Sequence, residues 1–494
     1  MRTTIIGVVL WMAGAGLAQG APCGLACLEA SLREAEKNGP PATVAMISNQ
    51  LGVLLQKQHR LAEAEAAYLR SAQVLDTGSA AAEPELARTL TNLGSVYYQQ
   101  GQYDRAAAAL RRAVTIWEHT GGQSEPDFAS ALDNLGTTLR CQAKYSEAEP
   151  VLRRALAIRE QQGRAAEVEK ATVLHNLALL HLDMARYDEA EEGARQALAI
   201  RERRLGSKDH YVADTRNLLG LIAQARGRNA EAAQQFRVAL LAQNGYGLPA
   251  AQSMINLGAV SRLLGDVGSA REVLERAVAL VGEIEPKQPL MATALNNLGL
   301  LEATQGNVRR ARQLFERALA IWRDTVGPDH PDYASGLTNL ASVEHGRKAL
   351  QLCSEALRID EAAFGPAHPR VETDLNNAGM AALSVRDYAA AEHYFRRSLA
   401  AHTDRGAPET AEEALVMANL ANAYTHENNA AEAAETYRRA IAMLRTTTTT
   451  DDPRLGAVLE AWSRVLRASG SYAEAEQAEV TATGIRVHNA LLHQ

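Results

Sequence analysis

An Asn-Leu-Gly motif, or a close variant of it, returns along this 494-residue chain at a nearly constant interval. If the Asn position is taken as an anchor, eleven copies are found, 38 to 42 residues apart, at Gln50, Asn92, Asn134, Asn176, Leu218, Asn256, Asn297, Asn339, Asn377, Asn419 and Ala461. A repeat of this length is typical of a solenoid, in which each unit is too small to bury its own apolar face and must stack on its neighbours. The periodicity therefore predicts an extended binding surface rather than a catalytic pocket.

Each copy contains two helical patterns separated by a turn. Around Asn297, apolar and small residues recur at helical spacing over 294–301, Gly306 and Asn307 interrupt the pattern, and a second apolar stripe covers 311–321. The position two after the anchor is always Gly, Ala or Ser, and one position of the second helix is always Ala. We expect these small residues to face each other where the two helices cross, so that the helix axes come close. An all-α chain of helical hairpins follows.

The turn and second helix resemble the tetratricopeptide repeat, as seen in GQYDRAA (101–107), AKYSEAE (143–149) and ARYDEAE (185–191). The copies are about eight residues longer than the usual 34, and several end in a loop such as Gly-Pro-Asp-His-Pro (327–331). In this they are similar to the kinesin light chain type of the repeat. The resemblance implies a right-handed α-α superhelix of about eleven helix-turn-helix units that binds protein partners.

The anchor side chains are expected to point away from the packed side of the first helix. At 100° per residue, the packing positions centre roughly 150° from the anchor, and positions −4, 0, +3 and +7 share the opposite face. A carboxamide can donate and accept hydrogen bonds, so a row of them can pair with the backbone of an extended polypeptide. The resemblance carries this peptide-binding role onto eight residues: Asn92, Asn134, Asn176, Asn256, Asn297, Asn339, Asn377 and Asn419. Two alternatives remain open: hydrogen bonds to the neighbouring unit, or duplication, also make an Asn recur.

The chain is expected to begin with a leader and to end with a cap. Residues 1–20 have a basic start, an apolar run and small residues before Ala21, as in a secretory signal peptide. We expect a capping helix at 21–41, ten units over 42–445, a linker at 446–453, and the last unit with a C-terminal capping helix at 454–494. The leader predicts an exported, soluble protein, periplasmic or extracellular, similar to bacterial exported proteins with this repeat.

The four cysteines add one expectation. Cys23 and Cys27 are close enough on a helix to form a disulfide, which persists outside the cytoplasm, whereas Pro22 before Cys23 argues against lipidation. Cys353 takes a position that Phe315 and Phe395 hold in other units, so it is expected in the core.

The charge pattern argues against a nucleic-acid partner. The formal net charge is −7, and the arginines of the second helices are paired with glutamates four residues earlier, as in Glu149 with Arg153 and Glu392 with Arg396. We find no metal-protease, phosphate-loop, serine-hydrolase or CxxC motif. His330 and His368 precede prolines in loops, where hydrogen bonding is the expected role. No enzymatic activity, cofactor or metal is expected.

The leading hypothesis is a non-enzymatic scaffold that holds an extended polypeptide in the concave groove of the superhelix, with no membrane insertion after cleavage of the leader. The alternative is a structural or self-associating component of a cell-envelope complex with an empty groove. One unit departs from the pattern: ten residues separate Asn339 from Ala349 where fourteen are normal, so its first helix should be about one turn shorter.

Overall fold

The computed structural model describes residues 24–58, 60–122, 125–142, 144–404 and 408–492, and these form 23 α-helices and one short 3-10 helix. Their contacts divide into two compact units, here called the N-terminal unit (24–297) and the C-terminal unit (298–492). The N-terminal unit contains α1 (Leu25–Asn38), α2 (Pro41–Lys57), α3 (Leu61–Leu75), α4 (Glu83–Gln99), α5 (Tyr103–His119), α6 (Pro126–Cys141), α7 (Tyr145–Gln161), the 3-10 helix Gly163–Ala166, α8 (Glu167–Asp183), α9 (Tyr187–Leu205), α10 (His210–Ala225), α11 (Asn229–Ala242), α12 (Gly247–Leu263) and α13 (Val267–Ile284).

Helix α14 (Pro289–Thr304) contains the boundary between the two units. The C-terminal unit continues with α15 (Val308–Thr325), α16 (Pro331–Ala341), α17 (Gly346–Phe364), α18 (Pro369–Ser384), α19 (Tyr388–Asp404), α20 (Ala411–His426), α21 (Ala430–Thr447), α22 (Pro453–Ala468) and α23 (Tyr472–Leu492). Every even-numbered helix from α2 carries an anchor and pairs with the helix that follows. The predicted all-α solenoid of helical hairpins is confirmed.

Most of the described turns inside hairpins contain a left-handed residue. Gly306 has φ +75°, and the backbone N–H of Asn307 then donates to the carbonyl of Glu302 over 2.9 Å, which closes the end of α14. Side chains cap the first helices α10, α16, α18, α20 and α22. His330 Nδ1 accepts from the backbone N–H of Asp332 over 3.1 Å, and His368 Nδ1 accepts from that of Arg370 over 3.2 Å. The expected loop hydrogen bonding of both histidines is confirmed.

The glycine two positions after the anchor faces a large side chain of the second helix, not a small one. A β-carbon on Gly94 would lie 2.5 Å from Leu110, and one on Gly379 would lie 2.5 Å from Phe395. The same relation, sixteen residues apart, joins Gly52 to Tyr68, Gly136 to Leu152, Gly220 to Phe236, Gly258 to Leu274 and Gly299 to Phe315. The expectation that small residues face each other at the crossing is therefore wrong, because the alanine lies one turn before the side chain that fills the crossing.

The departure predicted near Asn339 is confirmed. Helix α16 has 11 residues, whereas α14 and α18 each have 16. Cys353 is 5% exposed in an apolar cluster, as expected of a core position, and Cys141 is half-buried, with its sulfur 3.2 Å from the Tyr98 hydroxyl.

The predicted leader, residues 1–20, and Cys23 lie outside the described residues. Cys27 is disulfide-bonded. Helix α1 precedes the first hairpin, and residues 448–452 separate α21 from α22.

Candidate functional site: the anchor face of the first helices

The structure places most of the eight predicted asparagines inside the packing. Asn92 and Asn134 are 0% exposed, Asn176 is 1%, Asn339 is 4% and Asn256 is 5%. Asn297, Asn377 and Asn419 are half-buried. The expectation that the anchor amides point into an open groove is therefore wrong for the first five, whereas the last three keep part of their surface accessible.

The physical reason is a set of hydrogen bonds between neighbouring hairpins. Asn176 Nδ2 donates to Asp133 Oδ1 over 2.9 Å, and Asn419 Nδ2 donates to Asn376 Oδ1 over 3.1 Å. Asn92 Nδ2 makes the same bond to Asn49 over 3.3 Å. In all three the partner lies 43 residues earlier, at the position just before the preceding anchor. The recurrence of Asn is thus explained in part by contact with the neighbouring unit.

On α6 and α8 of the N-terminal unit the anchor face is closed, whereas on α2 it includes no buried side chain. Every residue of α6 from Phe128 to Leu139 is buried, and so is every residue of α8 from Ala171 to Leu182. A helix buried all round is covered by neighbours on each side. Here the first helices α4, α6, α8, α10 and α12 contact one another in succession. No stretch of these residues is available to a ligand unless the first helices separate.

On α18, α20 and α22 of the C-terminal unit the same face is open, although Asn339 on α16 is buried. Positions −4, 0, +3 and +7 of α18, α20 and α22 include no buried side chain. We call these twelve residues the open face: Thr373, Asn377, Met380, Ser384, Leu415, Asn419, Asn422, His426, Ala457, Ala461, Arg464 and Ala468. Arg464 is the one Asp, Glu, Lys or Arg among them. The face is therefore rich in amides and hydroxyls and nearly free of charge.

A buried charged cluster in the N-terminal unit was missed from the sequence. The Arg201 guanidinium is 0% exposed and donates to Thr215 Oγ1 over 2.7 Å, to the carbonyl of Tyr211 over 3.0 Å and to Thr172 Oγ1 over 3.3 Å. Burial lowers its pKa to about 10. The position of Arg201 in its repeat predicts this burial. Arg201 lies 25 residues after its anchor, as the buried Trp117 and Trp322 do.

The acceptor of the Asn176 bond is also perturbed. Asp133 is 2% exposed, and burial raises the pKa of its carboxyl to about 6 although the bond from Asn176 and the positive charges of Arg159 and Arg201 oppose the rise. Near neutral pH this carboxylate is ionised in a poorly solvated place, which costs stability.

The second helices carry self-neutralising charge, as predicted. Arg153 binds Glu149 over 2.7 Å and Arg396 binds Glu392 over 2.8 Å, each four residues apart on one helix. Other arginines reach the neighbouring hairpin: Arg112 binds Asp76 over 2.6 Å. These exposed pairs favour a solvated surface over a polyanion-binding stripe.

Two further features are absent from the described residues, a metal-ligand cluster and a membrane-spanning helix. Over these residues no group of three or more His, Cys, Asp or Glu side chains is arranged to hold a metal ion. Among the helices that the structure describes, none has the length and apolar character required to cross a bilayer.

Comparison with solved structures finds similar repeat proteins. A putative kinesin light chain with nearly identical repeats from Podosopora anserina is 19% identical over 41% of this chain and 97% of its own, with a TM-score of 0.37. BtubC (BKLC) from P. vanneervenii is 23% identical over 48% of this chain and 91% of its own, with a TM-score of 0.33. The apo form of RapI is 15% identical over 56% of this chain and 97% of its own, with a TM-score of 0.46.

Family models give the assignment. No curated protein matches the chain significantly. Models described as tetratricopeptide repeat match residues 43–119, 85–161, 169–242 and 346–404, residues 291–332, and residues 217–283 and 376–446. The first of these models alone spans more than half of the chain. The chain therefore belongs to the tetratricopeptide repeat family, whose fold is a scaffold for protein interactions.

Proposed function

We propose that this protein is a non-enzymatic scaffold that holds an extended polypeptide along its first helices, with the open face of α18, α20 and α22 as the main contact surface. The observation that supports this most is the open face itself. It presents Asn377, Asn419 and Asn422 on two successive first helices, next to Thr373 and Ser384, and it is nearly uncharged.

Such a surface suits a polypeptide backbone better than a charged ligand. Each amide offers donors and an acceptor, which match the alternating N–H and C=O groups of an extended chain and ask little of its side chains. Binding should therefore depend only modestly on ionic strength, since screening acts on charges.

The proposal assigns different roles to the buried and the accessible asparagines. Asn92, Asn134, Asn176, Asn256 and Asn339 contact a polypeptide only if the first helices move apart, whereas Asn297, Asn377 and Asn419 are accessible as they stand. The proposal therefore puts the first contact of the partner on the accessible members.

In the experiment, the full chain is immobilised and used to select binding peptides from a display library of random sequences. The affinity of the selected peptides is then measured by fluorescence anisotropy. The variant is Asn377→Ala with Asn422→Ala, because Asn419 also bonds to Asn376 and its loss would mix binding with stability. Two lost hydrogen bonds of about 0.5–1.5 kcal/mol each predict an affinity lower by about fivefold to a hundredfold.

The matched control is Asn429→Ala, an exposed asparagine at the start of α21 whose side chain makes no capping bond. It should leave affinity unchanged. Unchanged affinity in the double variant would remove the binding site from the open face, and a library without any enriched peptide would count against polypeptide binding altogether.

We further propose that the protein acts outside the cytoplasm, as its leader predicts. The disulfide at Cys27 supports this location, because such bonds persist in oxidising compartments. Detection of the chain in the cytosol with an uncleaved leader would contradict it.

Self-association is the second candidate function, and one observation favours it. Tyr472, Val480 and Val487 on α23 are 66%, 67% and 52% exposed, and their spacing puts them near one side of the helix. Light scattering of the full chain tests it: assembly that grows with concentration and is lost in Val480→Lys supports association through α23, whereas a monomer at all concentrations removes this candidate.

A further inference from the structure

A buried polar cluster joins the shortened helix α16 to α17 and α18. Arg370 on α18 is at its centre. Its Nη2 donates to Ser335 Oγ and to the carbonyl of Pro331, both on α16 and both over 2.8 Å, and its Nε donates to Asp360 Oδ2 on α17 over 2.9 Å. One side chain thus ties together three successive helices.

Two carboxyl groups meet in this cluster. Asp360 is 2% exposed and Asp374 is 6% exposed, and their carboxyl groups are within hydrogen-bonding reach of each other. Asp374 Oδ1 accepts from Thr338 Oγ1 on α16 over 3.2 Å. Asp360 Oδ1 and Asp374 Oδ2 have no N–H or O–H donor among the described residues. Two ionised carboxylates cannot bond to each other, so a hydrogen bond between them requires one shared proton.

The surrounding charges favour keeping that proton. Arg370 is the positive group in contact with the pair, and it faces Asp332 of α16 in addition to Asp360 and Asp374. Burial, followed by the neighbouring charge of Asp360, raises the pKa of Asp374 to about 8. The Cys353 thiol of α17 is also near, and its pKa is raised to about 11, mainly by burial, so it stays neutral.

We propose that Asp360 and Asp374, together with Arg370, form a proton-dependent latch that holds the shortened helix α16 against α17 and α18. While the pair shares one proton, both carboxyls and the guanidinium have partners. When the proton leaves, two adjacent carboxylates compete for one guanidinium in a buried place, and α16 is released more easily.

The direction of the pH effect follows from proton linkage. The pKa of Asp374 is raised in the folded protein above the ordinary value of about 4, so the latch is tightest below about pH 4. It weakens as the pH rises, and the loss is complete once the pH passes about 8. His330 and His368, whose Nδ1 atoms cap α16 and α18, are the other titratable groups at these helix ends.

Amide hydrogen exchange of α16 in the full chain tests the latch, with each rate divided by the intrinsic rate of an unstructured peptide at the same pH. Between about pH 5 and pH 8 the protection of residues 331–341 should fall by up to about tenfold per pH unit, and then level off. In Asp374→Asn, which cannot ionise, this fall should be absent.

The matched control is Asp324→Asn, an exposed carboxylate at the end of α15, which should keep the wild-type pH dependence. Protection that does not change with pH in the wild type, or that falls equally in Asp374→Asn, overturns the latch. If Asp374→Asn fails to fold, infrared spectra of the double variant Asp133→Asn with Asp214→Asn decide instead, because these two substitutions remove the other buried carboxyls of raised pKa. A protonated-carboxyl band present near pH 7 and lost near pH 10 is expected, and its absence at pH 7 overturns the proposal.

Discussion

Seven of the eleven hairpins have glycine two positions after the anchor, where a large side chain of the same hairpin fills the space next to its α-carbon. At Gly379 that side chain is Phe395, which is 0% exposed and has no room to retreat. Glycine lowers the helix propensity of the segment, but the absence of a side chain allows the two helices to approach closely.

Gly379→Ala should therefore destabilise the C-terminal unit. The added methyl group overpacks the crossing, which typically costs about 1–3 kcal/mol. Gly484→Ala is the matched control, since this helical glycine has nothing within 4 Å of its missing β-carbon and should gain up to about 1 kcal/mol from helix propensity. Urea unfolding curves of both variants measure the difference, and equal stability of the two would contradict the packing described here.

Asp133→Asn should stabilise the protein at neutral pH and leave it unchanged in acid. The asparagine still accepts the bond from Asn176 but carries no charge to desolvate. Because the pKa of Asp133 is raised to about 6, its contribution to stability is present below about pH 4 and lost by about pH 6. The expected gain above pH 6 is about 3 kcal/mol in the free energy of unfolding, measured with urea at pH 4 and pH 7.5. A variant with the same stability as the wild type at both pH values would show that burial of the ionised Asp133 carboxylate does not lower stability.

At the scale of the helix, boundaries follow from local chemistry. The turns predicted at Gly306 and the loops ending in His330 and His368 fall where the structure ends and begins its helices, because left-handed residues and side-chain caps act locally. The shortened α16 was predictable for the same reason, since a deletion inside a repeat removes a countable number of residues.

Helix α7 contains a proline that local chemistry does not favour. Pro150 lies inside the helix and is exposed, so it removes a backbone hydrogen bond without adding packing. Pro150→Ala should raise the free energy of unfolding of the N-terminal unit by about 1–3 kcal/mol. Pro249→Ala is the control, because Pro249 lies in the first turn of α12, where backbone N–H groups lack helical partners anyway. Equal effects of the two substitutions would contradict this account.

At the scale of the whole molecule, the burial of the anchor face was not predictable from one repeat, because it depends on the neighbouring hairpins. A helical projection places Asn134 and Asn377 on the same face, opposite the packing positions. It does not show which helix covers that face, and in the N-terminal unit the adjacent first helices do so. Asn377 and Asn419 are accessible, as the projection leads one to expect, whereas it does not anticipate the burial of Asn134 and Asn339.

The central claim is that the same anchor face is closed on α6 and α8 of the N-terminal unit and open on α18, α20 and α22 of the C-terminal unit. Thiol labelling tests it directly, with Asn134→Cys compared with Asn377→Cys in a Cys141→Ser background. The remaining thiol, Cys353, is buried with a raised pKa and should react slowly. Circular dichroism first establishes that both variants fold like the parent. We predict rapid labelling at position 377 and labelling slower by at least about a hundredfold at position 134, because reaction there requires local opening. Equal labelling rates at the two positions would contradict the account.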